Sequence, residues 1–390
     1  MFPLLIIISS SNIYFLSSSG LSTKAISINT NGKISYNSES SRLYVEDGYI
    51  KKNGQLVHLA GAVFGPLWNE EIGTPGNTHA REEMFINMKN AGANFVSFSI
   101  NLDLWKNPDY DNERYKQNVM TWVSWAVKYD LFFTMKLQMA GYEGDNYGGY
   151  GNHYLIAENE PRRTWALEMF IEMANLWKDL PHFVGIQLLN EPCGWEIGYE
   201  KWDIVINFYL DAIDTVREYD PKCIFFLMAP YKCSGYPKEW VSKGFLNREG
   251  VVLEFHQYYY YRVIYESEEW AIIYRDQGPD AGREAYEQWL LENIISIRDQ
   301  YKIPIYCGEF GVHLDRSTDP IPDPDAPYWR EQHTDQMQLF NQYKIHYSQW
   351  RIYAHAEVNH RWAMCTNDGL NLNIVGENWA RNIPNNLIIP

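Results

Sequence analysis

The sequence predicts an α/β fold, a (β/α)8 TIM barrel with a short N-terminal β-hairpin. Short apolar runs alternate with helix-length periodic segments, the alternation repeats about eight times, and 390 residues suit one barrel domain. Strands of a parallel sheet are covered by helices on both faces, which is why they consist of nearly continuous apolar residues. A closed barrel accommodates these units better than an open doubly wound sheet.

Residues 1–41 are predicted to be a leader and flexible segment, and residues 42–390 a single domain. The leader has an apolar run at residues 4–8, a second patch at 13–16 and then many serines, which is typical of a secretory signal. The two patches together approach the length of a membrane span. We therefore expect a secreted, extracellular protein, either free or anchored through an uncleaved N-terminus.

Each element of the domain follows from its local pattern. A hairpin is predicted in residues 43–60, where polar and apolar residues alternate around the turn pair Asn53-Gly54. Barrel strands are predicted at residues 57–63, 94–100, 131–138, 183–190, 223–229, 251–258 and 303–310, with an eighth within 352–363. Helices are predicted at residues 80–90, 113–129, 162–179, 199–219, 282–301 and 329–350.

The charge of the chain excludes some partners. A net charge of −16 repels nucleic acid and anionic membrane surfaces, whereas a neutral glycan is not repelled. The chain is rich in aromatic residues, with Trp 15, Tyr 29 and Phe 17. Such rings fill cores and also stack on the apolar faces of sugars, so composition alone leaves both uses open.

Cysteine and histidine patterns give no indication of a metal centre. The five cysteines include no CxxC pair and are odd in number, so neither a zinc site nor a disulfide scaffold is predicted. The histidines show no HExxH-type spacing. We expect no cofactor, no metal and a monomer.

Two glutamates stand where predicted apolar strands end. Glu191 follows Asn190 and precedes Pro192, while Glu309 follows Gly308. Barrel enzymes build their sites at the carboxyl ends of the strands. Cleavage of a glycosidic bond needs two carboxyl groups, one protonated and one ionised. Glu191 and Glu309 are therefore predicted to be catalytic, with Asn190 available to a substrate hydroxyl.

A third pattern lies on the strand predicted at residues 251–258. His256 and Tyr258 share one face of this strand because side chains alternate. The Tyr258 hydroxyl could steady a carboxylate nucleophile, and His256 could hold an acid in its protonation state. The alternatives are that His256 is a core histidine and that another tyrosine of residues 258–261 supplies the hydroxyl.

Taken together, Asn-Glu-Pro at 190–192, His-x-Tyr at 256–258 and Gly-Glu-Phe-Gly at 308–311 resemble glycoside hydrolase family 5, the cellulase family among the (β/α)8 retaining glycosidases. The resemblance covers residues 43–363. It implies that Glu191 is the acid/base and Glu309 the nucleophile. It carries substrate-binding roles onto Asn190, His256, Tyr258 and Trp362, the last as the tryptophan that closes the eighth strand.

Two positions depart from the family pattern. The family's second strand reads Asn-x-Val-Arg, but Ser97 stands in place of the arginine, and its third strand ends in histidine where this chain has Gln138. Lys136 and Gln138 should both point into the barrel. We hypothesise that Lys136 supplies the missing positive charge near Glu309, or pairs with the inward-facing Glu254.

The predicted function is retaining, endo-acting hydrolysis of a β-1,4-glucan, with a polysaccharide as substrate. Trp195, just beyond the Asn-Glu-Pro motif, is a candidate stacking platform, and Gln138 a candidate substrate contact. The alternatives are an endo-β-1,4-mannanase, an exo-acting β-glucosidase, and a glycan-binding barrel that has lost catalysis together with the arginine and histidine.

Overall fold

The structure is a computed structural model. It describes residues 41–65, 81–139, 154–192, 199–228, 248–259, 269–312, 328–352, 364–365 and 371–389, and the backbone of four short strands before residue 41.

Eight parallel strands close into a barrel in which each strand pairs with its neighbours in chain order. The strands are Ala60–Phe64, Phe95–Asn101, Phe132–Met139, Phe183–Gln187, Ile224–Met228, Val251–Tyr259, Ile305–Val312 and His346–Gln349. The predicted fold class is therefore confirmed. The second to seventh strands begin within two residues of their predicted starts, because apolar runs buried on both faces mark them clearly.

The eighth strand was predicted wrongly. It lies at His346–Gln349, before the predicted window of residues 352–363 and inside the segment predicted as helix 329–350. The helix itself spans Trp329–Tyr343 and so ends seven residues before the predicted end at residue 350. Lys344 follows with a φ of +57°, a left-handed conformation that commonly ends helices. This change of direction starts the strand two residues later.

A small antiparallel sheet closes the amino end of the barrel. It contains Tyr44–Glu46, Tyr49–Lys52, Gln55–Val57 and Ile388–Ile389. The predicted hairpin turn is confirmed, since Asn53 and Gly54 have φ values of +52° and +81°, as a type I′ turn requires. Leu43, Ile50 and Val57 pack beneath Phe95 and Phe132 of the barrel, so this end is sealed and the carboxyl end is left for a site.

Helices surround the barrel and bury its outer face. They are Glu82–Asn90, Leu102–Lys106, Asn112–Lys128, Tyr154–Glu158, Arg162–Trp177, Tyr199–Arg217, Glu269–Gln277, Pro279–Leu290, Ser296–Tyr301, Trp329–Tyr343 and Ile374–Asn382, with a π-helical turn at Leu291–Ile295. Asn101, Asp111 and Asn373 cap three of them by accepting backbone N–H groups of the first turn. Among the described residues, no helix is long and apolar enough to cross a bilayer.

Four strands precede the domain, at Leu5–Ser9, Asn12–Ser17, Lys24–Asn29 and Ile34–Tyr36, and form an antiparallel sheet. They lie in the segment predicted as a leader. The prediction that this segment directs secretion stays a prediction.

Candidate active site

Glu191 and Glu309 meet at the carboxyl end of the barrel. One carboxylate oxygen from each lies within 4.8 Å of the other and of a ring nitrogen of His256. Both glutamates are buried, at 5% and 3% exposure. The structure thus brings together two acidic side chains that are far apart in the sequence.

Glu191 is held in an uncommon backbone conformation just past the fourth strand. Its φ is +39°, in the left-handed region that residues with side chains rarely adopt and that is enriched at functional sites. The preceding amide of Asn190 donates to the carbonyl of Leu137 at 3.0 Å, which ties this turn to the third strand. The Glu191 amide N–H lies 3.0 Å from the sulfur of Met228.

A bulge in the seventh strand turns Glu309 inward. Tyr306 already faces the interior, where its ring packs against Phe95 and Phe226, so simple alternation would point Glu309 outward. The register with the sixth strand skips Gly308, because Cys307 pairs with Phe255 and Glu309 with His256. An extra residue of this kind re-aims the side chain that follows it.

Two donors fix the carboxylate of Glu309. Lys136 donates from Nζ to Oε1 at 2.6 Å, and the Tyr258 hydroxyl donates to Oε2 at 2.5 Å. Each carboxylate oxygen therefore has its own donor, one of them a buried ammonium group. Charge-assisted bonds of this kind stabilise the ionised form of a carboxyl group and orient it.

His256 lies against Glu191. Its Nδ1 is 2.7 Å from Glu191 Oε1, and its Nε2 is 3.3 Å from the Lys136 ammonium. Burial lowers the pKa of His256 well below its ordinary value, and the charge of Lys136 lowers it further. The imidazole is consequently neutral, with one N–H and one lone pair.

A third carboxyl group, Glu254, lies beneath the pair. Its Oε1 is 3.7 Å from Lys136 Nζ and 3.4 Å from His256 Nε2, and the side chain is fully buried. A Cβ on Gly308 would come within 1.9 Å of this oxygen, so the glycine provides the space that Glu254 occupies. Burial raises the pKa of Glu254 to about 8, the Glu309 charge adds to this, and Lys136 opposes it.

The predicted substrate contacts have different outcomes. Asn190 is buried, and its Oδ1 accepts no hydrogen bond in the structure, which leaves an acceptor beside Glu191. Gln138 is not drawn into the cluster around Glu309, because its Oε1 accepts from the Ser99 hydroxyl at 3.2 Å. Trp195 and Trp362 lie outside the described residues.

The position of the eighth strand removes the reason for choosing Trp362. The residue that directly follows this strand is Trp350, which is half-buried. Its backbone N–H donates to the carbonyl of Phe310 at 2.8 Å, so its backbone adjoins that of the residue after Glu309. Trp350 is thus the tryptophan that closes the eighth strand.

The structure also explains one of the two departures noted in the sequence, the missing arginine. The hydroxyl of Ser97 accepts a hydrogen bond from the side chain of Gln187 at 2.7 Å, so this position has a polar partner of its own. The positive charge next to Glu309 comes instead from Lys136, on the adjacent third strand, as hypothesised. Glu254, expected only as a possible partner of Lys136, lies 3.7 Å from Lys136 Nζ and 3.4 Å from His256 Nε2.

Glu191, His256 and Glu309 are also the only group of three potential metal ligands within reach of one another among the described side chains. The Lys136 ammonium, 2.6 Å from Glu309 and 3.3 Å from His256, already supplies a cation to this cluster and would repel a second one.

A family model described as cellulase (glycosyl hydrolase family 5) matches residues 51–356. No curated protein shows a significant sequence match. Among solved structures, a β-glucanase from Saccharophagus degradans is 12% identical with a TM-score of 0.63, covering 91% of this chain and 95% of that one. An endoglucanase from Thermotoga maritima is 16% identical with a TM-score of 0.57, covering 84% and 97%. An endogalactoceramidase is 16% identical with a TM-score of 0.61, covering 87% and 84%.

At these identities the solved structures show a shared fold. The family model extends from the N-terminal hairpin to beyond the eighth strand and contains every residue of the acidic cluster. The chain therefore belongs to glycosyl hydrolase family 5, the cellulase family, and is a glycoside hydrolase.

Proposed function

We propose that the protein is a retaining, endo-acting β-glycosidase that hydrolyses β-1,4-glucan. The observation that carries this proposal is the approach of the Glu191 and Glu309 carboxylate oxygens to within 4.8 Å. Retaining enzymes hold their two carboxyl groups about 5–5.5 Å apart, whereas inverting enzymes leave roughly 6.5–9.5 Å for a water molecule. The short separation favours direct attack by one carboxylate on the sugar.

Glu309 is the proposed nucleophile. The bonds from Lys136 and Tyr258 orient its carboxylate and limit its rotation, so one oxygen can approach the anomeric carbon. As it attacks, a glycosyl–Glu309 ester forms and the glycosidic C–O bond breaks. The Lys136 bond must weaken as this negative charge is consumed.

Glu191 is the proposed acid/base. It donates its proton to the departing glycosidic oxygen in the first step and becomes a carboxylate. In the second step it takes a proton from water, whose oxygen attacks the anomeric carbon and releases Glu309. Two displacements at one carbon leave the configuration unchanged.

Contacts with the sugar are proposed for residues at the same end of the barrel. The free Oδ1 of Asn190 can accept a hydrogen bond from a sugar hydroxyl next to the scissile bond. Trp350, which directly follows the eighth strand, is proposed to offer an apolar face to the ring. Trp195 remains a proposed stacking residue farther along the cleft.

The substrate class is supported by the compared proteins. One is a β-glucanase and another an endoglucanase. The Thermotoga maritima protein is also described in complex with a mannotriose substrate, which favours β-mannan as the second candidate. An endogalactoceramidase shows that the shared fold is also found in a protein named for a glycolipid.

A substrate panel tests the proposal. The purified protein is incubated with carboxymethylcellulose, with β-mannan and with an aryl β-glucoside, and reducing ends and solution viscosity are followed. We expect reducing ends from carboxymethylcellulose, with viscosity falling early because internal bonds are cut. The Glu309→Ala variant gives the background. Release from mannan alone, or from the aryl glucoside alone, would contradict the glucanase assignment.

The protein is further proposed to be secreted. The apolar, serine-rich leader supports this, and polymeric glucan is an extracellular substrate. Expression of the full chain in a secreting host, followed by N-terminal sequencing of the medium fraction, tests it. Retention of the intact leader inside the cell would contradict it.

A further inference from the structure

His256 bridges two carboxyl groups and not one. Its Nδ1 lies 2.7 Å from Oε1 of Glu191, and its Nε2 lies 3.4 Å from Oε1 of Glu254, a long hydrogen bond. All three side chains are buried. Only Glu191 of the two carboxyl groups stands at the proposed point of bond cleavage.

A neutral imidazole has one N–H, so it can donate to only one of these carboxyl groups and must accept from the other. With the proton on Nε2, His256 donates to an ionised Glu254 and accepts from a protonated Glu191. With the proton on Nδ1, it donates to an ionised Glu191 and accepts from a protonated Glu254. Both arrangements use the same heavy-atom positions. The Lys136 ammonium, 3.3 Å from Nε2, favours the second arrangement, and an ionised Glu254 favours the first.

We propose that Glu191 and Glu254 share one proton through the two tautomers of His256, so that Glu254 is a positioning residue for the proton of the acid/base. The proposal rests on the proposed role of Glu191. The transfer is balanced: the O–H bond of Glu254 breaks as Nε2–H forms, and Nδ1–H breaks as the O–H bond of Glu191 forms. The total charge of the three groups does not change.

The surroundings of Glu254 suit a group that exchanges a proton. Its Oε2 has no hydrogen-bond partner in the structure, and the space over Gly308 that admits its Oε1 has no other evident use. Burial and the charge of Glu309 favour its protonated form, and Lys136 at 3.7 Å favours its ionised form. Opposed influences of this kind place both forms within reach.

The other titratable groups around the bridge keep their protons. Burial raises the pKa of the Tyr306 phenol and of the Cys307 thiol well above their ordinary values, and the Glu254 charge acts in the same direction. Tyr258 donates to Glu309, and Lys136 donates to Glu309. Glu309 Oε2 also lies 3.6 Å from His256 Nδ1, but this oxygen already accepts from Tyr258 and is farther from Nδ1 than Glu191 Oε1 at 2.7 Å. Within the described part of the site, Glu191 and Glu254 are thus the pair that can exchange a proton through His256.

The arrangement also fits both halves of the proposed reaction. Once Glu191 has protonated the leaving group and Glu309 has become an ester, Lys136 loses its negative partner. The Glu254 carboxylate, 3.7 Å away, then balances the ammonium and stays ionised. Glu191 therefore receives no proton from Glu254 through His256, and it remains a base for the attacking water.

The ring nitrogens of His256 report the tautomer directly. Protein labelled with ¹⁵N-histidine is examined by NMR between about pH 5 and 9, a range that begins above the ordinary carboxyl pKa and includes the raised pKa of about 8 of Glu254. The His256→Asn variant is used to assign the signals. In the wild-type protein we expect both nitrogens at positions averaged between the protonated and unprotonated values. In Glu254→Met, the Nδ1–H tautomer alone is expected, with Nε2 accepting from Lys136.

The pH profile of kcat/KM gives the second measurement. The alkaline limb should move to lower pH by about one unit in Glu254→Gln. The variant lacks the second carboxyl group that can hold the shared proton, and it lacks the nearby negative charge that favours the protonated form of Glu191. Ser348→Ala removes a hydroxyl bonded to Tyr306 at 2.7 Å and should leave the limb and the His256 signals unchanged.

A single unaveraged tautomer in the wild-type protein across this range would overturn the proposal, and that result needs no variant to fold. An unchanged alkaline limb in an active Glu254→Gln variant would also overturn it. Failure of the proposed function would give a different result. The wild-type protein would then turn over no substrate, while its His256 signals would still be averaged.

Discussion

The ammonium nitrogen of Lys136 lies 2.6 Å from Oε1 of Glu309, and both side chains are buried. In the family pattern an arginine of the second strand stands beside the nucleophile, but here that position is Ser97. The positive charge is supplied from the neighbouring strand, because Lys136 lies on the third strand, which pairs with the second. The ion pair is preserved although the residue that usually supplies the cation is absent.

Replacing Lys136 with methionine should lower kcat/KM by about 100-fold or more, because a buried carboxylate then loses a charge-assisted bond and the cation that lies next to it in the described part of the site. Lys136→Arg should retain more activity than Lys136→Met, since it keeps the charge. Steady-state kinetics on the substrate identified by the panel provide the measurement.

The matched control is Lys106→Met, which removes a lysine bonded to Glu168 and Glu172 on the outer helices. Its kcat/KM should stay close to that of the wild-type protein. Equal losses in the two methionine variants would show that the Lys136 ion pair has no particular role in the reaction.

Azide should distinguish the two glutamates. In Glu309→Ala the missing carboxylate leaves space for azide, which attacks the sugar directly and should give a glycosyl azide of inverted configuration. In Glu191→Ala, with an activated aryl glycoside, azide should attack the glycosyl-enzyme and give the retained configuration. NMR of the products gives the configuration, and the reverse pattern would exchange the two assignments.

Gly308→Ala should destabilise the protein, because the new Cβ would lie 1.9 Å from Glu254 Oε1. Overpacking of this kind costs about 1–3 kcal/mol in the free energy of unfolding. Glu254→Ala removes the atoms in conflict, so the double variant should be more stable than the sum of the two single effects predicts. Urea denaturation of the four proteins gives this coupling, and strict additivity would show that the two residues do not compete for space.

The stability of the protein should depend on pH through Glu254. Its pKa rises from 4.5 in the unfolded chain to about 8 in the fold, so between these values the folded protein holds a proton that the unfolded chain releases. The contribution of this group is complete below pH 4.5 and is lost as pH rises to 8.

Relative to Glu254→Gln, which cannot titrate, the wild-type protein should therefore lose free energy of unfolding as pH rises, by at most about 1.4 kcal/mol per pH unit. Denaturation of both proteins at several pH values gives the difference, in which the other ionisable groups largely cancel. A constant difference from pH 5 to about 9 would mean that Glu254 is ionised throughout.

Most barrel strands could be predicted from the sequence because helices cover their outer faces and apolar side chains mark them. The eighth strand could not, because it consists of His346, Tyr347, Ser348 and Gln349, all buried. Ser348 and His346 are polar since they bond to Tyr306 and to the backbone of Leu59. A strand made of polar residues contains no apolar run, so it is not predicted from such runs, and neither is the role of Trp350 as the residue that follows it.

The acidic pair could be predicted because each glutamate ends a recognisable strand. The inward direction of Glu309 could not be derived by alternation, since it depends on the bulge at Gly308. Glu254 shares a strand face with His256, and that much follows from the sequence. Its position under Gly308 and its approach to Lys136 depend on the register of neighbouring strands, which a single sequence does not specify.

The amino end of the barrel contains an ion pair that should matter for stability and not for catalysis. Arg42 donates from Nη1 to both carboxylate oxygens of Asp220 at 2.7 Å, and its Nε and Nη1 also donate to the carbonyls of Phe183 and Lys178. The pair lies where the hairpin meets the barrel, at the end opposite the catalytic cluster.

Asp220→Asn should lower the free energy of unfolding by about 2–4 kcal/mol, because a largely buried guanidinium group loses its counter-charge. The kcat/KM of the folded variant should not change. Asp214→Asn, which removes an exposed partner of Arg248, is the matched control and should cost less than about 1 kcal/mol. If Asp220→Asn were as stable as this control, the Arg42–Asp220 pair would not stabilise the contact between the hairpin and the barrel. A loss of kcat/KM without a loss of stability would instead show that the two ends of the barrel are coupled.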